Sequence, residues 1–156
     1  MIGKREVTDR FMSCFNYTKY NDVAKLLNVH QSSVSKWVKF GNVPWNKVKY
    51  LSDTKAVSWD WLIDGIEPQF SSKQPTQPES TYPDFDFKAI NNRFLSLFES
   101  MTQIEIARAF EITPQAVHEW VRAVRGISWK YLDFAVTHFN VRWDWLLDGL
   151  EPKHRD

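Results

Sequence analysis

The sequence predicts an all-α protein built as two tandem copies of one five-helix domain. Three observations carry that expectation: an internal repeat, helix-end signals at matching places in both halves, and apolar residues at helical spacing. RFMSCF (Arg10 to Phe15) matches RFLSLF (Arg93 to Phe98) at an offset of 83. At the same offset Ala24 meets Ala107, Val34 meets Val117, and Trp37-Val38 meets Trp120-Val121. From Trp45 onward the offset is 84, and VSWDWLIDGIEP (Val57 to Pro68) matches VRWDWLLDGLEP (Val141 to Pro152). About eighteen positions are identical. The one-residue length change falls between Phe40 and Trp45, where GNVP marks a loop, and loops absorb insertions.

The first copy should form helices near 8–16, 20–27, 31–39, 45–54 and 59–64. The second should form them near 87–99, 103–110, 114–123, 129–138 and 143–148. Boundaries are clearest in the second copy. Thr102 followed three residues later by Glu105 is a capping box, in which hydroxyl and carboxylate satisfy open amides at a helix start. Thr113 caps a helix whose first residue is Pro114, where the missing N–H costs nothing. Asp64-Gly65 and Asp148-Gly149 end the last helix of each copy, glycine being the residue most easily placed in a left-handed C-terminal position.

Between the copies lies QFSSKQPTQPESTYPDFD (69–86), rich in Pro, Ser and Gln, which reads as a linker. The expected division is domain one at 1–68, linker at 69–86, domain two at 87–152, and a tail at 153–156 whose HRD end (154–156) should fray.

Composition narrows the class. The 156 residues carry a formal net charge of +1, so no global basic excess announces a nucleic-acid partner. Eight Trp, eleven Phe and five Tyr can give two small helical domains adequate cores. The single Cys14 rules out an intrachain disulfide and suits a reducing compartment; it aligns with Leu97 and reads as a core thiol. Neither a membrane-spanning apolar run nor a signal-peptide core is present, so a cytoplasmic protein is expected. His30 and His118 occupy different positions in their copies and have no ligand-spaced partners, so no metal or other cofactor is expected. With no phosphate-cradling glycine loop and no nucleophile–base pair, an enzyme is not expected.

The second and third helices carry the functional signal. Tyr20 to Lys39 reads YNDVAKLLNVHQSSVSKWVK, and Gln103 to Arg122 reads QIEIARAFEITPQAVHEWVR. Two short helices crossing steeply need a small residue where their backbones approach, which Ala24 and Ala107 supply. Val23, Leu27, Val29, Val34 and Trp37 should face inward, as should Ile106, Phe110, Ile112, Val117 and Trp120. Four residues after each alanine the turn wants a left-handed residue; Asn28 tolerates this and Glu111 does so at a cost on the order of 1 kcal/mol.

This pattern resembles the helix-turn-helix of lambda-type phage repressors. The wider pattern, ending in WDWLIDG and WDWLLDG, resembles the DNA-binding domain of phage CI-type repressors across nearly all of both copies. It departs from that family in carrying a second copy where an oligomerisation or self-cleavage domain usually stands, so induction by self-cleavage is not implied. The resemblance implies two lambda-repressor-like domains whose third helix reads the major groove of operator DNA. Base-reading positions would then be Gln31, Ser32, Ser33, Ser35 and Lys36 in copy one, and Gln115, Ala116, His118 and Glu119 in copy two. Phosphate contacts would come from Lys39, Lys47, Arg122 and Arg125, with Gln103 at a helix amino end. Read alone, such polar runs are ordinary solvated helix faces; their recurrence at matched places favours the sharper reading.

The expected function is a sequence-specific transcriptional regulator acting on double-stranded DNA, most simply a prokaryotic or phage-encoded repressor whose tethered copies imitate a dimer. A free eighteen-residue linker would stretch to about 60 Å and relax to roughly 20–25 Å, enough for half-sites about 34 Å apart. A homodimer held by exposed Trp surface, or intramolecular pairing of the copies, is compatible with the sequence. Residues 1–70 hold ten Lys and Arg against seven Asp and Glu; residues 86–156 hold nine against ten. That asymmetry keeps alive an alternative in which copy two grips a protein, as an adaptor or antirepressor would. An architectural or recombination-directing DNA binder is the further alternative.

Overall fold

A computed structural model of the chain describes residues 3–16, 19–80 and 83–156. Its described residues contain ten helices: α1 (Lys4–Ser13), α2 (Tyr20–Leu26), α3 (Gln31–Phe40), α4 (Trp45–Lys55), α5 (Trp59–Asp64), α6 (Phe87–Ser96), α7 (Gln103–Ala109), α8 (Pro114–Val121), α9 (Trp129–Phe139) and α10 (Trp143–Asp148). Among the described residues there is no β-strand, only isolated bridges between Val57 and Phe70 and between Val141 and His154. The chain divides into two compact units, Ile2–Phe85 and Asp86–Asp156.

Side-chain caps explain four of the helix starts, those of α5, α6, α7 and α8. Thr102 accepts from the Glu105 amide while the Glu105 carboxylate accepts from the Thr102 amide, completing the capping box. The Thr102 amide, and then its hydroxyl, donating to the Glu105 carboxylate hold that carboxyl below its usual range. Thr113 accepts from the Ala116 amide ahead of Pro114, and Ser58 accepts from the Trp61 amide at the start of α5. The helix α1 runs earlier than the expected 8–16. Val7, Thr8 and Phe11 form its buried face, and the charged start Lys4, Arg5 and Glu6 lies on the exposed side of the helix.

Each unit closes by tying its first helix to its last, with the same bonds in both copies. Arg10 donates to the carbonyls of Leu62 and Ile63 at 3.0 and 2.8 Å. Arg93 donates to those of Leu146 and Leu147 at 2.9 and 2.8 Å. A cation suits these sites because the last carbonyls of a helix lack intrahelical donors and carry its negative dipole end. Glycine follows each helix for two reasons. Gly65 and Gly149 have φ of 73° and 74°, and an added Cβ would meet the arginine guanidinium at 2.9 and 3.0 Å.

Equivalent apolar positions fill the two cores: Phe11 and Phe94, Val34 and Val117, Trp59 and Trp143, Leu62 and Leu146 are all fully buried. Burying each such side chain contributes about 1.5–3 kcal/mol. Of the eight tryptophans none is exposed: five are buried, and Trp45, Trp61 and Trp129 are half-buried. Cys14 is half-buried at the end of α1, with its thiol bonded to the Arg10 carbonyl and approached by Gln69, rather than fully in the core. Burial pushes its pKa up.

Two segments expected to be free are held. Within 69–86, Ser71 donates its amide to the Ala56 carbonyl, Thr76 donates its amide to the Asp53 carbonyl, and Lys73 bonds Ser52 and Asp53. Phe85 packs on Trp59 at 5.8 Å between ring centroids. Proline prevented this segment from forming a helix but left its amides and lysine free to bond the end of α4. Part of the segment read as a linker is thereby bonded to the first unit. At the other end, the Arg142 amide donates to Lys153 and the Arg155 amide to Asn140, so residues 153–155 pair with the chain rather than fray.

Candidate nucleic-acid interface

The helix pairs α2–α3 and α7–α8 are built alike. Ala24 and Ala107 are buried where the helices approach. Past the end of α2, Asn28 has φ of 51°, and the Val29 amide reaches back to the Ala24 carbonyl at 2.9 Å. Past α7, Glu111 has φ of 54°, and the Ile112 amide reaches the Ala107 carbonyl at the same distance. Each is a Schellman-type ending that reverses the chain within a few residues. Leu27 and Phe110 occupy the turn, and Val34, Trp37, Val117 and Trp120 bury the inner faces of α3 and α8.

On α3, Gln31, Ser32, Ser35 and Lys36 are exposed with Lys39 one turn further on, forming a continuous polar stripe. Ser33 is half-buried at the edge of that stripe. Lys39 lies 5.2 Å from the centroid of the exposed Phe40 ring. A cation that the sequence reading did not single out joins this end. Arg5 donates to the carbonyls of Val38 and Lys39 at 2.8 and 2.7 Å, placing a guanidinium on the carboxy end of α3.

Lys47 corrects the phosphate assignment. It is fully buried, and its Nζ donates to the Leu27 carbonyl at 3.0 Å, so it cannot reach a phosphate. Desolvation lowers its pKa from 10.5 to about 8. The equivalent position in copy two is Tyr131, which packs against Phe110 and Trp120. Sequence reading placed Lys47 outside because lysine is so seldom fully buried; the open carbonyl at the end of α2 gives this one a partner.

On α8, Gln115 and His118 are exposed, Glu119 is half-buried, and Arg122 beyond the helix is exposed. Ala116 is buried at 8% exposure, so it is not available to bases. Its counterpart Ser33 faces the same way, which explains why that position is the weakest member of each stripe. Gln103 is exposed at the first residue of α7. Arg125 is exposed but engaged: its Nε lies 3.0 Å from Glu119 Oε2, while Gln115 Nε2 lies 3.5 Å from Glu119 Oε1. In both copies one face of the third helix thus collects most of the expected residues, with Ala116 and Lys47 excluded.

Buried polar groups fix the loop that follows each third helix. Thr8 Oγ1 accepts from the Val43 amide at 3.1 Å. At the equivalent place Asn91 Oδ1 accepts from the Ile127 amide, and Asn91 Nδ2 donates to the carbonyls of Trp120 and Arg125. Sequence reading missed this pair because the residues differ between copies. Arg10 and Arg93 were flagged by the repeat alone.

Among the described residues no group of three or more His, Cys, Asp or Glu is placed to hold a metal ion, and no helix is long and apolar enough to cross a membrane. No protein-family model, curated protein or solved structure matches the chain.

Proposed function

We propose that the chain is a sequence-specific double-stranded DNA-binding transcriptional regulator, acting as a repressor of the phage CI type through two helix-turn-helix heads. One observation carries this reading. In both units a short helix pair turns at a left-handed residue four positions after a buried alanine, and the outer face of its third helix is a polar stripe. Such a helix can enter the major groove with its polar side chains toward base edges.

Copy one supplies Gln31, Ser32, Ser35 and Lys36 for bases, with Lys39 and Arg5 as the cations nearest the backbone. Gln can pair with adenine and Lys with guanine, while Ser accepts several partners. Copy two supplies a different set, Gln115, His118 and Glu119, so the two halves of its site should differ in sequence. Arg122 is its exposed phosphate candidate.

Salt dependence of duplex binding by the full chain tests the reading. Counterion release makes log affinity fall linearly with log salt, by about 0.9 per phosphate neutralised. A flat salt response would favour the second reading, in which copy two binds a protein; the balanced charge of residues 86–156 and the Glu119–Arg125 pair favour that alternative.

A further inference from the structure

Glu119 is an odd residue to aim at DNA. A lone carboxylate at a groove-facing position is repelled by the phosphates on either side, and its counterpart in copy one is Lys36. The structure resolves the conflict through Arg125. The α8–α9 loop turns at Ala123, with φ of 52°, and the Val124 amide donates back to the Glu119 carbonyl at 2.9 Å. Asn91, fully buried, then clamps the Arg125 carbonyl at 2.9 Å and the Trp120 carbonyl at 3.0 Å. The guanidinium is thereby returned to the helix it follows.

The corresponding loop of copy one is one residue shorter. It turns at Gly41, with φ of 64°, and its residues Gly41, Asn42, Val43 and Pro44 carry no charged side chain. The single-residue insertion between the copies therefore falls in the loop that delivers Arg125 to Glu119.

We propose that Arg125 is a positioning residue for base recognition by copy two rather than a phosphate contact. It neutralises Glu119 and fixes its carboxylate so that Glu119 accepts from the exocyclic amine of a cytosine in the major groove. Oε2 is held by Arg125 Nε at 3.0 Å and Oε1 by Gln115 Nε2 at 3.5 Å. A carboxylate offers about four lone-pair sites, so each oxygen keeps acceptor capacity for the base. Gln115 is oriented by the same contact and keeps its second N–H and its carbonyl oxygen for a neighbouring base. The Glu119 side chain is 29% exposed and that of Arg125 55%, so the pair lies at the surface where a base edge can reach it. Because the Glu–Arg pair has no net charge, copy two would contribute discrimination and little electrostatic affinity, while copy one supplies the salt-sensitive part.

This inference rests on the DNA-binding reading, and its test separates the two. The full chain, Arg125→Gln and Glu119→Gln are each put through site selection on a duplex library randomised across the site. Their affinities for the selected duplex are then measured over a range of salt. Both side chains are at the surface, and Asn91 holds only the Arg125 backbone, so the folded unit should survive either change. The expected result is one position in the copy-two half where cytosine is preferred. Arg125→Gln should reduce that preference roughly ten-fold, because Glu119 is then neither neutralised nor held in place. Glu119→Gln should move the preference at that position away from cytosine. A loss of affinity for Arg125→Gln that is equal for all sequences and leaves the cytosine preference intact would make Arg125 a phosphate contact and overturn the proposal alone. Selection of no sequence by the parent chain would overturn the DNA-binding reading beneath it.

Discussion

Replacing Lys47 with methionine removes a charge from the interior of the first unit, and the structure fixes how the effect should depend on pH. The ammonium is fully buried, and its pKa is lowered from 10.5 to about 8 by desolvation. For a base whose folded pKa is depressed, the unfolded chain binds more protons between the two values, so stability rises with pH across that window. At pH 7 the charged lysine costs roughly 3 kcal/mol relative to a neutral one, at about 1.4 kcal/mol per pH unit. By pH 9.5 most folded molecules carry it neutral and the cost shrinks to between 1 and 2 kcal/mol (roughly). Methionine has no such titration but leaves the Leu27 carbonyl without this donor, a loss of about 1–3 kcal/mol at every pH. The parent chain should therefore gain about 2 kcal/mol over Lys47→Met between pH 7 and pH 9.5. Urea unfolding of both full-length proteins at the two pH values, followed by Trp fluorescence, measures this difference with other titrations cancelled. An unchanged difference would mean that Lys47 is not held as a buried, desolvated amine.

Three other substitutions test the scaffold and the interface. Arg93→Ala should destabilise the second unit by roughly 2 kcal/mol, lowering its melting temperature by about 10 °C, because two charge-assisted bonds to the end of α10 are lost. Arg10→Ala should do the same to the first unit, and calorimetry that finds one arginine neutral would break the equivalence of the two ties. Thr102→Ala should cost about 1 kcal/mol through loss of the capping box, read from the same melting curves. Lys39→Ala should weaken binding to all duplexes alike and lower the salt slope by about 1; a loss confined to one sequence would overturn its phosphate role.

Most of the helical scaffold was legible because its signals are local. Capping residues, the glycines at 65 and 149, and the left-handed positions at 28 and 111 act within a few residues of where they stand. What the sequence concealed depends on distant partners. Nothing near Lys47 announces the Leu27 carbonyl twenty residues away, and lysine's hydration argues for the surface. Ala116 was placed toward bases because the helical register of α8 leaves it at the edge of the buried face. Residues 69–80 look featureless by composition, yet Lys73 and the amides of Ser71 and Thr76 find partners in and just after α4. Arg125 was legible as a cation but not as the neighbour of Glu119, since that contact is made by a loop turning at a non-glycine residue.

Site selection from random duplex DNA near physiological salt most directly tests whether the two outer helix faces read bases. The parent chain, Ser32→Arg and Gln115→Ala should each be taken through it at full length. The account predicts a two-part site for the parent chain, with Ser32→Arg altering one part and Gln115→Ala the other. Enrichment of no sequence by the parent chain, or a selected site indifferent to both substitutions, would contradict it.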